Sequence, residues 1–267
     1  MTQTLTLPEA LQTARQLYQS GQRKEAENLC NTILVYLPDC QEAKEILAAM
    51  PKEIYNDAFY AHQSMGSYRT AQVFFSYLFS FYKPNSLIDF GAGVGTWLQA
   101  AQELGVEHLQ AIEGEWIKEK LRNPTIPYTF HDLQNSYRSS QKFDLAMSLE
   151  VAEHLPIERA DSFVQDICAT ADLVMFGAAM KHQGGQGHIN EQDQSYWIKQ
   201  FRIRNYECLD IFRTPFWFRK DLEPWYIQNT FLFLKKGDSR RDLFLNDPLY
   251  TVHHPRLIHA GNSHLYQ

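Results

Sequence analysis

The chain has 267 residues, of which 44% are hydrophobic and 21% charged, the balance of a globular protein built as one large domain or as a domain with an appendage. A formal net charge of −6, with no broad basic stripe, speaks against a protein that grips long nucleic acid by its phosphates. Cys30, Cys40, Cys168 and Cys208 lack ligand or disulfide spacing, and neither a secretory signal nor a membrane-crossing run is visible, so a cytoplasmic protein with reduced thiols is expected.

Residues 1–50 read as a helical hairpin followed by a third helix. Pro8 and Glu9 suit a first helical turn, and Gly21 is a helix stop. Ala26, Leu29, Ile33 and Leu37 share one face of the next helix, which ends at Pro38, and Asp39 is placed to cap the third. Ala14, Leu17, Gly21, Ala26 and Pro38 resemble a single tetratricopeptide repeat, a unit of about 34 residues that arrays use to bind partners. Two uses stay open, a helical cap on the main domain or a module for a protein partner or self-association.

Residues 51–85 read as a helical linker region rich in aromatics. The stretch 71–86, AQVFFSYLFSFYKPNS, is apolar nearly all round, as in a helix buried between layers. From 86 to 237 strands alternate with helices. The strands fall at 86–90, 109–114, 143–149 and 172–180, and the helices at 95–104, 115–121, 156–170 and 194–204. That alternation predicts an α/β fold with a doubly wound, mostly parallel sheet. Residues 206–218 and 226–236 read as two strands joined by a charged, proline-containing turn without a helix, and so pair antiparallel. Residues 238–267 are a C-terminal extension whose His253, His254, His259 and His264 are too dispersed for a metal site.

In 87–97, LIDFGAGVGTW, a strand delivers Asp89 and then Gly91, Gly93 and Gly95. Glycines permit a tight turn and close approach of a ligand, and the following helix offers free N–H groups. A dinucleotide fingerprint would place its third glycine one residue later. An acid ahead of the loop repels pyrophosphate but can hold an ammonium group, which favours S-adenosylmethionine as the ligand. Glu113 ends the second strand, where a carboxylate can accept both ribose hydroxyls, and Asp132 and Leu133 of 130-FHDL-133 are placed to meet the adenine.

The fourth strand runs into 147-MSLEVAEHLP-156. If a helix starts near Glu150, then Glu150, Glu153 and His154 share one face at the ligand-binding edge of the sheet. The loop 181–193 adds His182, Gly184, Gly185, Gly187, His188, Asn190, Glu191 and Gln192. Loops at this edge bind substrate, and an imidazole titrates near neutrality, so His188 is the candidate general base. Tyr196 and Trp197, on the next helix, read as core residues before substrate platforms.

Taken together, DFGAGVG, Glu113, Asp132 and FDLAMSLEVAEHL resemble the class I S-adenosylmethionine-dependent methyltransferases over residues 86–236. The resemblance implies a Rossmann-like seven-stranded sheet with the last strand antiparallel and a lid formed before the first strand. It also implies a donor site of Asp89, Gly91, Gly93, Gly95, Glu113, Asp132, Leu133 and Glu150.

Two readings of Glu150, Glu153 and His154 stay open. One is a wall of the donor pocket, as in many members of that family. The other is a metal site, because ExxEH resembles the metal motif of ubiquinone-biosynthesis and small-RNA terminal 2′-O-methyltransferases. His188 then completes a set of Glu150, Glu153, His154 and His188 suited to Mg²⁺, Mn²⁺ or Fe²⁺. His188 follows the motif much sooner than in the RNA enzymes, so a small molecule is preferred to RNA as acceptor. The expected function is O-methylation of a small or sugar-containing metabolite, with His188, His154 and Glu153 acting on the acceptor. The alternative is a non-catalytic donor-binding scaffold that uses the N-terminal hairpin for partners.

Overall fold

The computed structural model describes residues 6–20, 22–49 and 57–244, divided between two compact units, Met1–Asn56 and Asp57–Gln267.

The first unit holds α1 (Leu7–Gln19), α2 (Arg23–Tyr36) and α3 (Gln41–Ala49). Glu9 reaches back to accept the Thr6 N–H at 2.8 Å, closing the first turn of α1. Ala14, Ala26 and Ala43 are fully buried, and Cys30, Ile33 and Ile46 complete the small core. Small residues there allow the helices to approach closely. Two details differ from the sequence reading. Leu37 falls beyond α2 and is exposed, and α3 begins after Cys40, whose carbonyl accepts the Lys44 N–H, while Asp39 pairs with the Lys44 ammonium at 3.6 Å. Gly21 lies outside the described residues, as do 50–56 and 245–267 with His253, His254, His259 and His264.

The second unit opens with α4 (Asp57–Phe81) and continues through β1 (Ser86–Phe90), α5 (Thr96–Glu103), β2 (His108–Glu113), β3 (Tyr128–Phe130), β4 (Leu145–Leu149), α6 (Ala160–Thr170), β5 (Leu173–Gly177), α7 (Gln194–Ile203), β6 (Tyr206–Leu209), α8 (Arg213–Phe216), α9 (Pro224–Asn229) and β7 (Phe231–Lys235). The seven strands lie in the order β3-β2-β1-β4-β5-β7-β6, with β7 antiparallel to both neighbours. The chain winds outward in opposite directions from β1 and β4, so a crevice opens beyond their carboxyl ends.

Strand alternation divides the core. Leu87, Met175, Leu232 and Leu234 face one layer, and Ile88, Phe176, Phe231 and Phe233 the other. The second layer is closed by α6 and α7 through Phe163, Ile167 and Phe201. On the first side α4 supplies Ala71, Phe74, Phe75 and Leu78, all without exposure, as its all-round apolar sequence predicts. Phe74 stacks on Phe212 at 4.7 Å and on Phe216 at 5.0 Å. Each such burial contributes roughly 1.5–3 kcal/mol against the entropy of ordering the chain.

Four expectations are corrected here. The segment 115–121 holds only a 3₁₀ turn, Glu115–Ile117. The helix expected at 156–170 begins at Ala160, preceded by a 3₁₀ turn at Ile157–Arg159. The strand expected at 172–180 is shorter. The connection before the last strand contains α8 and α9, since Pro224 opens a helix at its first turn and does not merely break a strand. Among the described residues no helix is long and apolar enough to cross a membrane.

Candidate functional site

Gly91, Gly93 and Gly95 follow β1 with φ of 85°, 54° and 84°. A side chain at Gly91 would strike Val151, its Cβ lying 2.3 Å from Val151 Cγ2, so this glycine lets the loop meet the segment leaving β4. Above Gly93 the space is open. Asp89 is buried beneath the loop, and burial together with the neighbouring Glu113 holds its carboxyl well above the usual range.

Glu113 is also buried. Its Oε2 accepts the Gly93 N–H and its Oε1 the Gly114 N–H, both at 2.8 Å. Burial pushes this carboxyl up while the two backbone bonds pull it down. Each oxygen keeps a second acceptor position, so the bonds aim the carboxylate without exhausting it. The Tyr128 hydroxyl donates to the Gly93 carbonyl at 3.1 Å and braces the loop from β3. Asp132 is exposed, with Oδ1 accepting the Gln134 N–H at 3.0 Å, whereas the Leu133 side chain is buried in the second core layer. The open space at Gly93, the aimed Glu113 and the buried acid Asp89 fit a nucleoside bearing a cationic amino-acid end. Trp116, unremarked in the sequence, lies against Gly114 and remains 62% exposed beside Glu113.

No helix starts at Glu150. Its φ is 56°, left-handed and uncommon for a residue with a side chain, and a 3₁₀ turn at Ala152–His154 follows. Leu155 is extended before Pro156, which disfavours the helical conformation in the residue ahead of it. Glu150 is consequently held by partners from other elements. The Asn229 amide donates to its Oε1 and the Gln183 amide to its Oε2, both at 2.9 Å. Asn229 also donates to Gln183 Oε1 at 2.8 Å, so the end of α9 and the loop after β5 hold this carboxylate between them. Burial raises its pKa, against the two amides and His188.

Glu153 is fully buried, and neither carboxylate oxygen makes a hydrogen bond of good geometry with a described residue. Burial first, and then Glu150, push its pKa well above the usual range. Two buried carboxyls side by side cannot both ionise unless a cation joins them. The Glu153 backbone carbonyl accepts the N–H groups of Ile189 and Asn190, both at 2.9 Å, which fastens the glycine-rich loop over it.

His188 and His154 meet edge to face, their rings 4.8 Å apart. His188 Nδ1 lies 2.8 Å from Glu191 Oε1, and its Nε2 lies 4.0 Å from Glu153 Oε1. His154 Nδ1 lies 3.1 Å from the Gly187 carbonyl, and burial, then His188, lowers its pKa. Each imidazole thus has its Nδ1 beside an acceptor, which orients the ring. Glu153, His154 and His188 bring one ligand atom each within 4.8 Å of one another. Glu150 is not in that group. His182 is exposed, its N–H donating to Glu191 Oε2 at 3.0 Å, and Trp197 and half-buried Tyr196 pack in the second core layer.

The sequence therefore named the acids and imidazoles but missed Gln183 as a partner of Glu150, and Asn229 and Trp116 altogether. No motif surrounds Asn229. The only available signal for Trp116 was an aromatic three residues beyond Glu113.

No family model matches the sequence, and no curated protein does. Solved structures do. Streptomyces venezuelae DesVI matches with 14% identity and a TM-score of 0.51, over 67% of this chain and 96% of that one. An O-methyltransferase family protein from Burkholderia thailandensis matches at 8% identity and 0.51, over 78% of this chain, which spans 63% of that protein. CalS10, a SAM-bound amino pentose methyltransferase from Micromonospora echinaspora involved in calicheamicin biosynthesis, matches at 11% and 0.50, over 70% of this chain and all of that one. At these identities the likeness is one of fold. The chain has the fold of S-adenosylmethionine-dependent methyltransferases.

Proposed function

We propose that this chain, sharing the methyltransferase fold, transfers a methyl group from S-adenosylmethionine to a hydroxyl of a small or sugar-containing metabolite. The observation that carries the reading is the convergence of two constellations on the switch-point edge of one sheet. The glycine loop with Asp89 and Glu113 leaves β1 and β2, and the His188, His154 and Glu153 cluster gathers beyond β4 and β5. When bound, the donor supplies a methyl already activated by its sulfonium, so the protein's task is largely to align the acceptor and move one proton.

Asp89 faces the donor's ammonium, Glu113 takes the ribose hydroxyls, and Asp132 takes the adenine amino group with the Leu133 backbone beside it. Trp116 offers a flat apolar ring to the base. His188 Nε2 receives the acceptor's proton, and Glu191 at Nδ1 steadies the resulting imidazolium.

A second reading rests on the buried Glu153 carboxylate, whose oxygens accept no hydrogen bond of good geometry from a described residue. Glu153, His154 and His188 would hold a divalent cation such as Mg²⁺, Mn²⁺ or Fe²⁺, with Glu150 outside the ligand set. The cation would lower the pKa of the acceptor hydroxyl. The donor set of one carboxylate and two oriented imidazoles fits such an ion.

Methyl transfer from labelled donor to a fractionated metabolite extract, with and without chelator, tests both. Product that is lost in His188→Ala but survives chelation supports the base, and product lost on chelation and restored by Mn²⁺ supports the metal. Donor binding with no transfer to any fraction overturns the enzyme in favour of the scaffold, with the tetratricopeptide-like helices as its partner surface.

A further inference from the structure

One buried ion pair lies outside the site just described yet touches its donor half. Arg159, 7% exposed ahead of α6, pairs with Asp166 of α6 at 2.5 Å, and Asp166 is itself 8% exposed. Removing two charges from water costs several kcal/mol each, and such a pair adds little net stability beyond what apolar residues of similar volume supply. What this pair does contribute is a set of bonds to one loop. Arg159 Nε donates to the Leu133 carbonyl at 3.0 Å and Nη2 to the Asn135 carbonyl at 3.0 Å. Asp166 Oδ2 accepts the Tyr137 N–H at 2.8 Å.

The loop is tied to the sheet at its start, where the His131 N–H donates to the Glu113 carbonyl at 2.8 Å, and beyond that point it needs a further hold. β3 is three residues long, and only Leu133 among 131–136 is buried. Its internal bonds, Gln134 N–H to Asp132 Oδ1 at 3.0 Å and Asn135 N–H to the Asp132 carbonyl at 2.9 Å, shape the turn around Asp132 without fixing it to the sheet. The Asp132 carboxylate thus sits on a turn whose Leu133 and Asn135 carbonyls are both held by one guanidinium.

We propose that Arg159 and Asp166 are positioning residues that set the base-reading edge of the donor site, and that through them Asp132 distinguishes a 6-amino purine from a 6-oxo purine. This rests on the donor reading above. A carboxylate accepts from the 6-amino group and repels a 6-carbonyl. A hydrogen bond to a charged group is worth about 1.5–3 kcal/mol, roughly 10- to 150-fold in affinity. A loop displaced by about an ångström forfeits most of that discrimination while still admitting the ligand.

The test is calorimetric binding of S-adenosylhomocysteine and S-inosylhomocysteine to the full chain and to Arg159→Met, Arg159→Lys and Asp166→Asn, with a melting curve for each. The parent chain should prefer the adenine ligand by about tenfold or more. Arg159→Met should bring the ratio near one with its fold retained, and Arg159→Lys should restore part of it. An unchanged ratio in folded Arg159→Met makes the pair purely structural and overturns the proposal. If that variant does not fold, the ratio in Asp166→Asn decides in the same way. Equal binding of both ligands by the parent chain also overturns it, whereas failure of the parent to bind either one refutes the donor reading itself.

Discussion

Glu191 Oε1 and His188 Nδ1 stand 2.8 Å apart, and the ring's Nε2 is turned toward Glu153, 4.0 Å from its Oε1. Glu191 also accepts the His182 N–H at 3.0 Å, so one carboxylate fixes both the ring and the loop that carries it. Replacing it with glutamine keeps the shape and removes the charge that stabilises an imidazolium. Glu191→Gln should lower kcat by about 10- to 100-fold while donor affinity holds. Steady-state kinetics paired with donor binding measures both, and an equal loss in each would remove Glu191 from proton transfer.

Gly185 lies under the same ring. A Cβ there would sit 2.2 Å from His188 Cε1 and Nε2, and the backbone at Gly185 is not in the left-handed region, so alanine acts through this contact alone. Gly185→Ala should turn the imidazole away and cost turnover about as heavily as Glu191→Gln, with a melting temperature close to that of the parent chain. A crystal structure of the variant with His188 unmoved would contradict this account.

Asp89 gives the pH dependence. Its carboxyl is held well above the usual value of 3.8 by burial and by Glu113, so over the range between the unfolded and folded values the native state keeps a proton that the unfolded chain has released. Stability from this group is full below that lower value and declines as pH rises through the window. Asp89→Asn should flatten the slope, and melting curves of ligand-free protein from acid to neutral pH will compare the two. Saturating donor should offset part of the decline in the parent chain, because its ammonium stabilises the anionic carboxylate. Identical slopes would mean that Asp89 titrates alike in the folded and unfolded chains.

Asn229 holds Glu150 from 79 positions away. Asn229→Ala leaves one carboxylate oxygen without its amide and should destabilise the protein by about 1–3 kcal/mol in denaturant unfolding. A double-mutant cycle with Glu150→Gln should recover part of the loss, since an amide at 150 demands less. Additive losses would show that the pair does not interact.

These four sites also mark how far the sequence could be read. Asp89, the glycines and Glu113 were legible because a strand, a tight turn and a helix start impose residue types at fixed local spacing. The antiparallel last strand was legible from its two apolar runs and from the family resemblance. The helix expected at Glu150 was not there, because Pro156 holds Leu155 extended and delays regular helix to Ala160. α8 and α9 were missed because four and six residues carry too little periodicity to register. The amide clamp on Glu150 and the guanidinium on the 131–137 loop could not be read at all, since each is made by residues distant in sequence whose types suit any exposed surface.

The loop over Glu153 is tied down by two main-chain bonds, from the Ile189 and Asn190 N–H groups to the Glu153 carbonyl. Neither bond depends on which side chains the loop displays. On the proposed reading, the acceptor side of the crevice is therefore evolvable separately from the donor side. Substitutions at 186, 189 and 192 can redraw the surface offered to the proposed acceptor while the anchoring of the loop survives. A library confined to those three positions is the economical route to a changed acceptor range, and lineages that share this chain's loop anchoring should diverge there first.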